Sequence, residues 1–154
     1  MKARAMVLTL ALCFVGAAVC YADDAQMGTW KLNEAKSKIG AGAPKNTTVV
    51  YEAAGDSVKV TVEGVDSDGK ATRNEWTGKF DDKDYPVTGD PTSDARSYKK
   101  VNDRTLKFTG KNKDKVAITG RVVVSADGKS RTVTASGTDA KGKKVTWTAV
   151  YDKQ

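Results

Sequence analysis

Histidine is absent from all 154 residues, and the only two cysteines, Cys13 and Cys20, sit near the N-terminus. The rest of the chain therefore has no His-based triad, thiol nucleophile, Cys/His zinc site or disulfide framework. Large aliphatic residues are also scarce. Beyond residue 22, Leu, Ile, Val and Phe number 21 of 132, about 16%, a range in which disorder becomes plausible unless the pattern argues otherwise. Proline is confined to Pro44, Pro86 and Pro91.

The longest apolar run lies at the N-terminus. Lys2 and Arg4 precede a stretch from Met6 to Val19, and Cys20-Tyr21-Ala22 ends on a small residue before Asp23-Asp24. A run of about 14 residues is too short to span a bilayer, which takes about 20, so residues 1–22 are expected to be a secretory signal peptide cleaved after Ala22. Leu12 precedes Cys13 and Val19 precedes Cys20, so neither cysteine has the small neighbour a lipid anchor requires. The expectation is a secreted or periplasmic protein with one domain, 23–154, and no transmembrane segment after cleavage.

From Thr47 onward the apolar residues alternate with polar ones between turn-forming Gly, Asp, Asn and Lys, the pattern of half-buried antiparallel strands. The dry faces read Val49, Tyr51; Val58, Val60, Val62; Trp76, Phe80; Leu106, Phe108; Val116, Ile118, Val122, Val124; Val133, Ala135; and Val145, Trp147, Ala149, Tyr151. Apolar content is low because each strand is dry on one side only. The first strand, around Gly28 to Asn33, is expected to be followed by one helical turn at Glu34-Ala35-Lys36-Ser37. Glycines 64, 78, 110, 120 and 137 fall on five different dry faces, where sharp bending of a closing sheet would place them. The predicted fold is all-β: a closed or nearly closed antiparallel up-and-down β-barrel of about 8–10 strands.

Three sets of residues could carry function. The inward aromatics Trp30, Tyr51, Trp76, Phe80, Phe108, Trp147 and Tyr151 either fill the barrel as core or line a lumen for a small hydrophobic ligand. The segment 81–94 holds five aspartates, two prolines and Tyr85; it is too long for a simple hairpin and is expected to form a portal at the barrel mouth through Asp84, Tyr85 and Asp90. The third set is charge. Residues 23–94 carry 9 Lys/Arg against 14 Asp/Glu, and residues 95–154 carry 15 against 5. Most of the basic residues, Lys107, Lys111, Arg121 and Arg131 among them, are assigned to the wet outer wall, where an anionic envelope or polysaccharide surface could bind. Nucleic acid is disfavoured, because the aromatics point inward and cannot interleave with lysines as a stacking platform.

No cofactor or metal is expected. Asp66, Asp68, Gly69 and Glu75 match part of a calcium loop, but Gly64 occupies its first position and strands flank it. Glu63 and Glu75 alternate outward and do not form a converging acid/base pair, so the chain is expected not to be an enzyme.

Gly28-Thr29-Trp30 resembles the Gly-x-Trp signature of lipocalins and related calycin barrels, in which the tryptophan closes the barrel floor. Together with Lys31 to Lys38 and the segment from Lys83 to Pro91, it is similar to a group of small secreted bacterial lipocalin-like proteins of undefined activity. The resemblance spans residues 23–154 and implies a barrel like those of lipocalins and fatty-acid-binding proteins, with a possible hydrophobic ligand. Only Lys153 follows the last strand as a cation to pack on Trp30, and no long helix follows, which points to a shorter calycin relative. The leading expectation is a secreted, non-enzymatic barrel that binds a small hydrophobic molecule. The alternative is a solid barrel acting on a macromolecule through its basic wall or acidic loop.

Overall fold

The computed structural model describes residues 24–138 and 142–154. The expected signal peptide lies outside them, as do Asp139, Ala140 and Lys141. The described chain forms ten strands: β1 (Gly28–Lys38), β2 (Lys45–Ala54), β3 (Ser57–Val65), β4 (Ala71–Gly78), β5 (Tyr85–Thr88), β6 (Ala95–Asn102), β7 (Thr105–Asn112), β8 (Lys115–Val124), β9 (Ser130–Thr138) and β10 (Lys144–Lys153). Each pairs antiparallel with its neighbours in sequence, and β1 also pairs with β10, so the sheet closes as an up-and-down barrel with no free edge. Trp30 sits at the seam, opposite Val49 on β2 and Lys153 on β10.

Up-and-down order gives the barrel two ends. One carries the N-terminal turn 24–27, the start of β1 and the end of β10; the other carries the loops 39–44, 66–70 and 89–94, the β7–β8 turn, the end of β9 and the start of β10. Side-chain caps shape the turns. Asp66 Oδ1 accepts from the amides of Asp68 (3.0 Å) and Lys70 (2.9 Å), an Asx-type turn. Lys113 and Asp114 have φ of 47° and 63°, as a two-residue hairpin turn demands.

Most dry-face residues point inward, and three local features depart from expectation. Residues 34–37 are not a helical turn. Asn33 pairs with Val150 and Lys38 with Thr148, so β1 carries three more residues than β10 over this stretch and absorbs them as a wide bulge. Ser37 fastens it, donating its hydroxyl to the Asn33 carbonyl (2.7 Å) and accepting from the Val150 amide (2.9 Å). Val116 does not face the interior. Gly110 pairs with Ile118 but Lys111 with Val116; the extra residue flips the face and leaves Val116 60% exposed. The segment 81–94 is not a single portal loop at the mouth. It holds β5, which pairs with β4 and β6, so it runs from one end of the barrel to the other.

The main core fills the end near the termini, around Trp30, Val58, Val60, Trp76 and Leu106. A smaller cluster of Ala43, Ala135 and Trp147 lies toward the other end. Phe108 packs against both. An inner-face glycine admits that ring: a Cβ on Gly120 would overlap the edge of Phe108 and lie 2.8 Å from the Thr134 carbonyl oxygen. Valine is ordinarily the better strand residue, yet Gly120→Val is expected to destabilise the protein by about 1–3 kcal/mol through overpacking. Urea unfolding of the two proteins checks this, and unchanged or increased stability would show that Phe108 moves aside freely.

Candidate ligand-binding lumen

Between the two apolar clusters lies a cavity of about 590 Å³ that opens at the end carrying the 39–44, 66–70 and 89–94 loops. Its mouth is ringed by Gly42, Pro44, Asp66, Ser67, Asp90, Pro91 and Thr92, and its wall includes Val62, Val65, Ile118, Val145 and Trp147. Short apolar side chains opposite the aromatics leave this space. Of the seven expected lumen aromatics, Tyr51, Phe108, Trp147 and Tyr151 line it, joined by Tyr98.

Trp30, Trp76 and Phe80 do not line the cavity; they form the packed core at its closed end. Trp30 is fully buried, and its indole N–H donates to the Gln26 carbonyl (2.8 Å). Trp76 is 1% exposed and donates to the Arg96 carbonyl (2.8 Å). It stacks with Phe80 at 6.4 Å and meets Tyr98 edge-on at 4.8 Å. Alternation assigns all of these side chains inward but says nothing of their height along the barrel axis.

The expected portal residues separate for the same reason. Asp90 stands at the mouth, whereas Asp84 and Tyr85 lie outside the cavity at the start of β5. Asp84 pairs with Lys111 (2.6 Å), and Tyr85 packs edge-on against Trp76 at 5.7 Å while its hydroxyl donates to Asp81 (3.0 Å). Asp90 is bound inward. Its carboxylate accepts from the Thr92 amide and hydroxyl (2.8 and 2.7 Å), the Ser93 hydroxyl (2.6 Å) and the Arg96 guanidinium (2.9 Å). Burial pushes the carboxyl up, but the Ser93 and Thr92 hydrogen bonds and the Arg96 charge outweigh it and hold Asp90 below the ordinary carboxylate range. Arg96 also reaches the Asn74 side-chain oxygen (3.3 Å). The mouth loop is thus clasped to the inner wall by an ion pair only about a tenth exposed on either side.

Arg131 is the main correction to the sequence reading. It belongs to the lumen and not to the outer wall: it is 2% exposed and lines the cavity. Its guanidinium carbon lies 4.8 Å from the Trp30 ring centre, 4.9 Å from Tyr51 and 5.1 Å from Tyr151. Lys153, the cation expected over Trp30, is also there at 5.1 Å. Each ring face offers about 0.5–2 kcal/mol to a cation, against an effective cost of several kcal/mol for desolvating a charge. Among the described residues, Nε and Nη1 of Arg131 are buried without a hydrogen-bond partner to compensate further. The neighbouring tyrosines do not neutralise it. Burial raises Tyr151 to about 12 despite Arg131, and burial and Tyr98 raise Tyr51 well above the usual phenol range. Tyr151 instead donates its hydroxyl to the Asn46 carbonyl (3.0 Å). The signal was present in the sequence: Arg131 shares parity with Val133, Ala135 and Gly137, and Arg96 with Tyr98.

Glu63 and Glu75 face outward and both pair with Arg73, at 2.5 and 3.0 Å. The lumen therefore offers an apolar chamber, several tyrosine rings and two buried guanidinium groups, one of them paired.

No protein-family model matches the chain, and no curated protein matches it in sequence. Among solved structures, EF1p2_mFAP2b bound to DFHBI superimposes with a TM-score of 0.50 at 11% identity, covering 84% of this chain and 94% of that one. A redesigned β-barrel, mFAP1, bound to DFHBI, gives a TM-score of 0.44 at 16% identity, covering 84% and 98%. The likeness is one of fold, a closed antiparallel β-barrel.

Proposed function

We propose that this chain is an exported, non-catalytic barrel that binds a small hydrophobic molecule in its lumen. The observation that carries the reading is the cavity of about 590 Å³, open at one end and closed at the other by the Trp30 core, in the size range of small-molecule sites. A barrel of similar fold bound to DFHBI is in keeping with it. The ionisable groups lining the cavity fit binding better than turnover. Asp90 is committed to Arg96, Thr92 and Ser93, and burial holds Tyr51 and Tyr151 neutral. The signal-like N-terminus supports export, and the Gly28-Thr29-Trp30 resemblance supports kinship with secreted lipocalin-like proteins.

Native mass spectrometry of the protein from its source cells, paired with titration by the neutral dye Nile red, tests the proposal. The expected results are a chain beginning at Asp23, a bound apolar molecule in part of the population, and saturable dye binding that Trp147→Ala weakens. An unoccupied chain that also gives no saturable Nile red signal would overturn the lumen reading.

A second reading has its own observation. Lys99, Lys107 and Arg121 lie directly opposite one another across β6, β7 and β8 on the outer face. Like charges in direct register destabilise a sheet. Lys99 pairs with Asp82 (2.9 Å), but Lys107 and Arg121 have no ion-pair partner among the described residues. Such a row suits a polyanionic surface, an activity compatible with a filled or an open lumen.

A further inference from the structure

We propose that the lumen selects an amphiphile bearing one anionic group, bound with that group at the closed end against Arg131 and its tail toward the mouth. The inference rests on the lumen reading and narrows it from any hydrophobic molecule to an anionic one. Arg131 lines the cavity and is 2% exposed, and two of its nitrogens have no protein partner. Trp30, Tyr51 and Tyr151 surround the guanidinium within about 5 Å, and rings attract a cation through their faces without accepting its N–H hydrogens as a carboxylate or phosphate oxygen does.

The contrast with Arg96 sharpens the assignment. Both guanidinium groups are buried in the same lumen, but Arg96 has a carboxylate at 2.9 Å, and Arg131 has none among the described residues. The buried carboxylate at the mouth, Asp90, is spent on Arg96, and among the described residues no carboxylate pairs with Arg131 at the floor. Beyond it the wall is apolar, through Val62, Ile118, Val133, Val145 and Trp147. A charge at one end and a hydrocarbon or aromatic surface above it is the complement of an amphiphilic anion, and a dry site strengthens the pairing.

The test compares probes of one chain length, dodecanoate, dodecanol and dodecyl phosphate, in displacement of Nile red from the wild-type protein near neutral pH. At least one of the two anions is expected to bind tenfold or more tightly than dodecanol, and the tighter of the two tells a carboxylate head from a phosphate head. Arg131→Met is expected to abolish that preference, so that the anions bind no more tightly than dodecanol to the same variant, and Arg131→Lys to restore it in part. Dodecanol binding as tightly as both anions would overturn the proposal and leave the lumen reading standing. Failure of every probe, Nile red included, would bring down both. Should Arg131→Met fail to fold, the wild-type comparison still decides.

Discussion

Replacing Trp30 with alanine is expected to lower the unfolding free energy by about 3–5 kcal/mol, the range for deleting a large aromatic from a close-packed core. For a domain of this size that corresponds to a melting temperature roughly 10–20 °C lower. Three losses combine. The ring is fully buried at the seam where β1 meets β2 and β10. Its N–H is the partner of the Gln26 carbonyl, which ties the N-terminal turn across the barrel end. It also supplies one of the three faces around Arg131, so the variant leaves a buried cation with less compensation. Trp147→Ala is the informative comparison, because that ring borders a space that already exists and its removal enlarges a cavity instead of making one. It is expected to cost less stability than Trp30→Ala and to cost more in Nile red affinity. Urea unfolding followed by circular dichroism separates the two, and equal losses would contradict the division of the barrel into packed floor and open lumen.

That division is what the sequence conveyed least. Alternation placed Tyr51, Trp76, Phe108 and Trp147 inside correctly, because a period of two is a direct consequence of strand geometry. Height along the barrel depends on strand tilt and register, which no single strand encodes, so wall and floor aromatics were indistinguishable. Bulges defeat the parity rule locally: one extra residue near Lys111 exposes Val116, and the wide bulge before Lys38 resembles a helical turn when read as a string. Arg131 was hidden for a different reason. Its parity fits the lumen, but a charged residue is usually solvated, so residue type points outward where the strand's own alternation points in. Asp90 was legible as a mouth residue only in company with Asp84 and Tyr85, since a short strand of four residues, β5, breaks the segment in two.

The two lumen arginines are expected to respond to mutation with opposite signs. Asp90→Ala leaves Arg96 buried without its carboxylate, and removing one partner of a buried pair costs about 3–5 kcal/mol; Arg96→Met strands Asp90 and should cost a similar amount. Arg131→Met removes a buried charge that has no anionic partner among the described residues, and replacing such a group by an apolar side chain of similar size is often neutral or stabilising by about 1–4 kcal/mol. The lost contacts to Trp30, Tyr51 and Tyr151 offset part of that gain, so the expected change is near zero or slightly positive. Acid dependence separates the sites further. Because the folded protein holds Asp90 below its ordinary pKa, the carboxylate contributes stability that is fully present above the unfolded value of about 3.9 and is lost as pH falls through the lower folded value. Wild type and Asp90→Ala should therefore differ most above about pH 5 and converge as the solution becomes strongly acidic. Arg131→Met should show no such convergence, since it removes no carboxylate and leaves the Asp90–Arg96 pair in place. Denaturant midpoints of the three variants across pH provide the measurement. A large destabilisation by Arg131→Met would mean that the ring contacts alone compensate its charge, which would make Arg131 a strut of the barrel floor. A neutral or stabilising result would mean that the fold tolerates Arg131 at a cost, as expected of a residue kept for a ligand.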